Sequence, residues 1–114
     1  MLRTVAYYVG GFGTDLQVNS TITPYFSVTL ENMKKVIKGQ SDLRLVVFSS
    51  HDMQIANTLI GLKLTDAKCV WDRYLNQSTR DCVWEYPEFT SSVIFELHKD
   101  DAGAYSVRVQ VFLS

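Results

Sequence analysis

The chain has 114 residues, 46% of them hydrophobic, and a formal net charge of -1, the composition of one small globular domain. Eleven basic residues against twelve acidic ones leave no basic excess for a nucleic-acid backbone. No apolar run reaches the length of a membrane span.

From Met1 to about Tyr25 the pattern says little. The apolar run Val5 to Val9, accompanied by the single Arg3, is too short and too glycine-broken for a signal peptide. Gly10, Gly11 and Gly13 predict a turn, and Pro24 closes the segment. Ser27 to Lys38 reads as a helix, because Leu30, Met33 and Ile37 recur at helical spacing beside Val36. Ser27 or Thr29 caps its start, Gly39 marks its end, and Lys34, Lys35 and Lys38 form its wet face. Leu43 to Phe48 is apolar and valine-rich apart from Arg44, which predicts a strand buried on both faces of a parallel sheet. Ser49, Ser50, His51 and Asp52 follow it. Ile55, Ala56, Leu59 and Ile60 then predict a second helix ending near Gly61. His51 and Asp52 thus stand at the carboxyl end of a strand, where open α/β sheets bind ligands. A plain N-cap role for Asp52 fits the same position.

Asp66 to Phe89 reads as a long irregular loop anchored by Trp71, Tyr74, Trp84 and Tyr86. Cys69 and Cys82 lie within it without a second Cys or His pair nearby, so a local disulfide is expected rather than a metal site. Asn19 and Asn76 open Asn-x-Ser/Thr sequences, candidates for glycosylation. Disulfide and sequons together favour an oxidising compartment, secreted or lysosomal/vacuolar. From Ser92 to His98, Val93, Phe95 and Leu97 alternate with Ile94, Glu96 and His98. Asp100 to Gly103 is a turn, and Tyr105 to Leu113 alternates again, completing a β-hairpin. Glu96 and Arg108 are candidates to meet across it, with the register open. His98 reads as a surface residue.

The order of these features resembles the carboxy-terminal part of the histidine acid phosphatases, within the histidine phosphatase superfamily. The residues that carry the resemblance are Ser49-Ser50-His51-Asp52, Tyr86-Pro87-Glu88-Phe89-Thr90-Ser91, Phe95-Glu96-Leu97 and the closing strand from Tyr105. The resemblance covers roughly Ser27 to the end. It implies an α/β fold: a partial three-layer α/β sandwich with a mixed sheet, helix-strand-helix, then a stapled loop and a C-terminal hairpin. Residues 1–114 form a single partial domain, with 1–25 an unassigned lead segment and 26–114 the phosphatase-like part. His51 matches the histidine that donates to phosphoryl oxygens, and Asp52 the carboxyl that protonates the leaving oxygen. A cationic imidazole suits the charge of a transferring phosphoryl group, and a protonated carboxyl serves as general acid.

The departure lies in the nucleophile. The family's Arg-His-Gly motif is absent, and His98 is in the wrong context to attack. Arg3 and Arg44, the arginines that precede the pair, sit in no phosphate-binding pattern. Glu88 and Thr90 are bulkier or more charged than the family's segment usually shows. The expectation is therefore a fragment or chain of a histidine acid phosphatase that contributes His51 and Asp52 to phosphomonoester hydrolysis. It is not active alone, needs no cofactor or metal, and relies on another protein chain to complete the fold. The alternative is a non-catalytic, phosphatase-like structural subunit of a larger assembly. A phosphoglycerate-mutase-like relative fits the His-Asp pair and stapled loop less well.

Overall fold

Helices and one hairpin account for the regular structure of the computed structural model, which describes residues 2–8, 10, 15–77 and 80–113. The elements are α1 (Leu2–Tyr7), α2 (Asp15–Ile37), α3 (Asp52–Gly61), α4 (Ala67–Tyr74), β1 (Ser92–Lys99) and β2 (Tyr105–Phe112). The class is mixed α/β, with a two-stranded antiparallel sheet.

The lead segment is more ordered than its sequence suggests. α2 begins at Asp15 rather than near Ser27, so Pro24 lies inside the helix and Ser27 and Thr29 do not cap it. Proline removes one backbone donor; burial of Val18 and Ile22, with Phe26 packed beside them, holds the helix through the gap. These three recur every four residues, the spacing of one helix face. Asp15 in the first turn and Lys34 and Lys35 in the last also suit the helix dipole. Lys34, Lys35 and Lys38 are exposed as expected. The expected turn at Gly11 and Gly13 lies outside the described residues.

Three helices end the same way. Gly39, Lys63 and Asn76 have φ of 69°, 61° and 56°. In each case the N–H of the next residue donates five positions back: Gln40 to Lys35, Leu64 to Leu59 and Gln77 to Asp72. That is the left-handed stop that satisfies the last free carbonyls. Glycine adopts it without strain, and Asn is tolerated there.

The core gathers Tyr8 from the amino-terminal segment, Val18 and Ile22 from α2, Ala56 and Ile60 from α3, Val70 from α4, and Tyr86. α2 and α3 pack so closely that a Cβ on Gly61 would fall 2.2 Å from Ile22 Cδ1. Overpacking of this kind costs about 1–3 kcal/mol. Gly61→Ala is therefore expected to lower the unfolding free energy by up to that amount, read as a lower urea midpoint, despite alanine's better helix propensity. A midpoint at or above wild type contradicts the contact.

The stretch expected to be a loop contains α4. Asp66 starts the helix: its Oδ1 accepts from the Cys69 N–H at 2.8 Å. An apolar Cys69-Val70 pair turned into the core, in an otherwise polar stretch, made this short helix read as a loop. Cys69 and Cys82 form the expected disulfide. Arg80 pairs with Asp66 across the closed loop. Burial pushes the Asp66 carboxyl up, but Arg80 and the backbone donors outweigh it and hold the group below its ordinary value. A depressed carboxylate stabilises the fold above its unfolded pKa, and the contribution is lost as pH falls through the folded value. Arg80→Ala is expected to flatten the acid limb of a stability–pH curve below about pH 4. An unchanged acid limb counts against the pair.

The hairpin follows the alternation read from sequence. Its register places Glu96 opposite Arg108 and Phe95 opposite Val109. Asp100 makes the turn: its carbonyl accepts from Gly103 N–H at 3.0 Å, its Oδ1 from Ala104 N–H at 2.8 Å. Gly103 supplies a φ of 86°. Glu96 contacts Gln110 Nε2, 3.1 Å, and His98 Nε2, 2.9 Å, so its role is hydrogen bonding and His98 is a surface residue. Phe95 meets Phe26 edge-on at 5.8 Å, joining hairpin to helices.

One expectation requires correction. Leu43 to Phe48 is not a strand of a sheet in this chain: residues 41–50 form no ladder and all but Ser41 are exposed. Leu45 is 77% and Val47 76% exposed. A strand buried on both faces needs neighbours on both edges, and among the described residues the hairpin pairs only with itself. Leu30 and Ile37, whose spacing predicted the helix, are exposed as well. The whole has a radius of gyration of 16.1 Å, where a compact domain of this length has about 13 Å.

Candidate active site

His51 is the N-cap of α3, with extended backbone. Its carbonyl accepts from Gln54 N–H at 3.1 Å, and its own N–H donates to Gln54 Oε1 at 3.0 Å. This reciprocal pair fixes where the extended segment turns into the helix. The His51 side chain is exposed. Asp52, the first residue of the helix, is half-buried. Its Oδ1 accepts from Met53 N–H at 2.8 Å.

The other oxygen, Oδ2, accepts from Arg3 Nη2 at 2.9 Å. The contact places Arg3 beside the His51-Asp52 pair, a position its sequence surroundings do not signal. Arg3 also lies 3.9 Å from Glu88 and stacks over the Tyr86 ring at 4.5 Å. One guanidinium thus joins α1, the start of α3 and the Tyr86-to-Ser91 segment. Nothing in the sequence signals it, because Arg3 and Asp52 are 49 residues apart. Arg44 stays exposed on the extended segment.

Arg3, Ala6, Tyr7 and Tyr86 line a shallow recess of about 260 Å³. Tyr7 donates to Asn57 Oδ1 at 3.0 Å, tying this wall to the buried face of α3. Tyr7 and Tyr86 meet edge-on at 5.4 Å. Burial is the main reason the Tyr86 hydroxyl is pushed up to about 12, with the Asp52 charge adding to it and Arg3 opposing. The sign follows directly: neutralising Asp52 removes a negative charge that disfavours the phenolate. Asp52→Asn is expected to lower the pH at which Tyr86 ionises, read by ultraviolet titration against a Tyr86→Phe control. No shift would detach Tyr86 from Asp52.

The candidate residues do not all converge. Neither His51 nor Asp52 is among the residues lining the recess. Asn19 lies on α2 and Asn76 at the end of α4, both exposed. Trp84 receives the Arg73 guanidinium at 4.7 Å and so anchors its segment to α4, whereas Trp71 stacks on Tyr74 of its own helix and both rings are exposed. Among the described residues no group of three His, Cys, Asp or Glu side chains is placed to hold a metal, and no helix is long and apolar enough to cross a membrane. The chain matches no protein-family model, no curated protein and no solved structure.

Proposed function

We propose that the chain is the carboxy-terminal part of a histidine acid phosphatase. It supplies His51 to the phosphoryl oxygens and Asp52 to the leaving oxygen of a phosphomonoester, and it is inactive alone. Sequence outside these 114 residues, in the same polypeptide or a companion chain, brings the nucleophilic histidine and its arginine, and completes a three-layer sandwich by pairing with Leu43–Phe48. The observation that carries the reading is the placement of His51 and Asp52 at one junction. They stand where an apolar, unpaired extended segment runs into the amino terminus of α3, an end that favours anions. Its disulfide suits a secreted or lysosomal/vacuolar setting.

A second reading is favoured by the Arg3 contact. Both Asp52 oxygens already accept hydrogen bonds, which suits a non-catalytic, phosphatase-like subunit whose aspartate has become structural. Both readings require further sequence, in the same polypeptide or a companion chain, to cover Leu43–Phe48. The test is to isolate the native assembly, identify its chains, and assay hydrolysis of a phosphomonoester with and without this one. Activity that needs this chain supports the first reading, and an inactive assembly the second. A native protein that consists of these 114 residues alone and runs as a stable monomer without companions sinks both.

A further inference from the structure

We infer that the recess lined by Arg3, Ala6, Tyr7 and Tyr86 is a leaving-group subsite, and that it takes an uncharged aromatic ring. The substrate class is then the phosphomonoesters of aromatic or arylmethyl alcohols. This inference rests on the phosphatase reading and names the substrate of that same site.

A general acid protonates the leaving oxygen, so the carbon body carried by that oxygen lies on the acid's side. Asp52 Oδ2 accepts from Arg3 Nη2 at 2.9 Å. The same guanidinium stacks over the Tyr86 ring at 4.5 Å and lines the recess. The recess therefore opens one side chain's breadth from the oxygen that gives the proton. The Asp52 charge is felt there: burial is the larger cause, and Asp52 a further one, that pushes the Tyr7 and Tyr86 hydroxyls up.

Size, lining and charge select the ligand. A volume of about 260 Å³ falls below the roughly 300–1,000 Å³ of a pocket for a whole ligand, and suits a single ring. The walls are two tyrosine rings, a methyl group and a guanidinium face. Tyr7 and Tyr86 meet edge-on at 5.4 Å, and a third ring extends that arrangement. Both walls are already fixed, Tyr7 by its bond to Asn57 Oδ1 at 3.0 Å and Tyr86 by burial in the core, so binding orders little. Charge excludes anionic leaving groups. Arg3 is met by two carboxylates, Asp52 at 2.9 Å and Glu88 at 3.9 Å. Even with Asp52 protonated, Glu88 still balances the guanidinium.

In the step that the subsite serves, the P–O bond breaks and its electron pair stays on the alcohol oxygen. That oxygen takes the Asp52 proton, and the phosphoryl group passes to the nucleophilic histidine, from which water removes it.

The test compares kcat/KM for benzyl and ethyl phosphate in the complete native protein. The two alcohols are similar in acidity, so the ratio reports contact with the ring rather than ease of departure. Benzyl phosphate is expected to be favoured by about 2–10-fold, the worth of one added aromatic contact. Ala6→Leu, which keeps a good helix former on α1 and fills the recess, should bring the ratio back toward one. A carboxylate on the benzyl ring should cancel the advantage as well. A wild-type ratio of one, a preference that survives Ala6→Leu, or equal preference for the carboxylated ring would each overturn the subsite and leave the phosphatase reading standing. Hydrolysis of neither ester would remove the reading and the subsite with it.

Discussion

On the proposed phosphatase reading, replacing Asp52 by Asn where the nucleophile is also present is expected to slow hydrolysis of an alkyl phosphomonoester by roughly 10²–10⁴-fold. The same change should slow p-nitrophenyl phosphate far less. An alkoxide leaves only when it is protonated in the transition state, whereas p-nitrophenolate departs without help. A loss that grows with leaving-group basicity is thus the mark of a general acid, and a merely structural aspartate has no reason to produce it. His51→Ala should behave differently. A group that stabilises phosphoryl charge acts on every substrate alike, so both substrates should fall together by roughly 10²–10³-fold. Arg3 supplies the internal control. In the structure its guanidinium occupies Asp52 Oδ2, the atom that would carry the proton. If the contact persists in the assembly, Arg3→Ala should raise the alkyl phosphomonoester rate. Equal losses on both substrates for Asp52→Asn would end the proton-donor assignment.

What could be read from the sequence was local. The hairpin was legible because period-two alternation and an Asp-Asp-Ala-Gly turn constrain neighbouring residues directly. α3 was legible because Ala56, Leu59 and Ile60 repeat at helical spacing and are buried. Half of α2 was missed because Pro24 and the glycines before it are breaker signals, and packing against α3 overrides them. α4 was missed because eight residues carry too little periodicity to stand out from a polar loop. Leu43–Phe48 was misread for a more instructive reason. Its composition specifies a strand, but a strand exists only with a ladder, and the described residues supply no neighbour. The same separation applies to the site: His51 and Asp52 are adjacent and readable, while Arg3 reaches Asp52 only through the packing of Tyr7 and Tyr8 against the helices.

Loss of the disulfide carries the largest expected effect on stability. Cys69 and Cys82 are separated by 13 positions, and closing a loop of that size contributes about 3 kcal/mol by restricting the unfolded chain. A domain of this length has roughly 6–17 kcal/mol in total. The exposed segment at Leu43–Phe48 and the elongated shape put this chain toward the lower end. A Cys69→Ser, Cys82→Ser double variant should therefore lose a large part of its stability and show a lower urea midpoint. The damage should also be directional. Beyond Cys82, the Val83 N–H holds the Leu64 carbonyl at 2.9 Å, Trp84 holds Arg73, and Tyr86 fills the core and one wall of the recess. Hydrogen exchange should accelerate first from Asp81 to Tyr86, and the Arg3 contact with Tyr86 should loosen with it, before α2 and α3 separate. Reductant added to the wild type should reproduce the midpoint of the double variant, and the variant itself should ignore reductant. A wild-type midpoint indifferent to reductant would mean that the helices alone carry the fold, and that the segment from Cys82 to Tyr86 is held by its side-chain contacts rather than by the sulfur bridge.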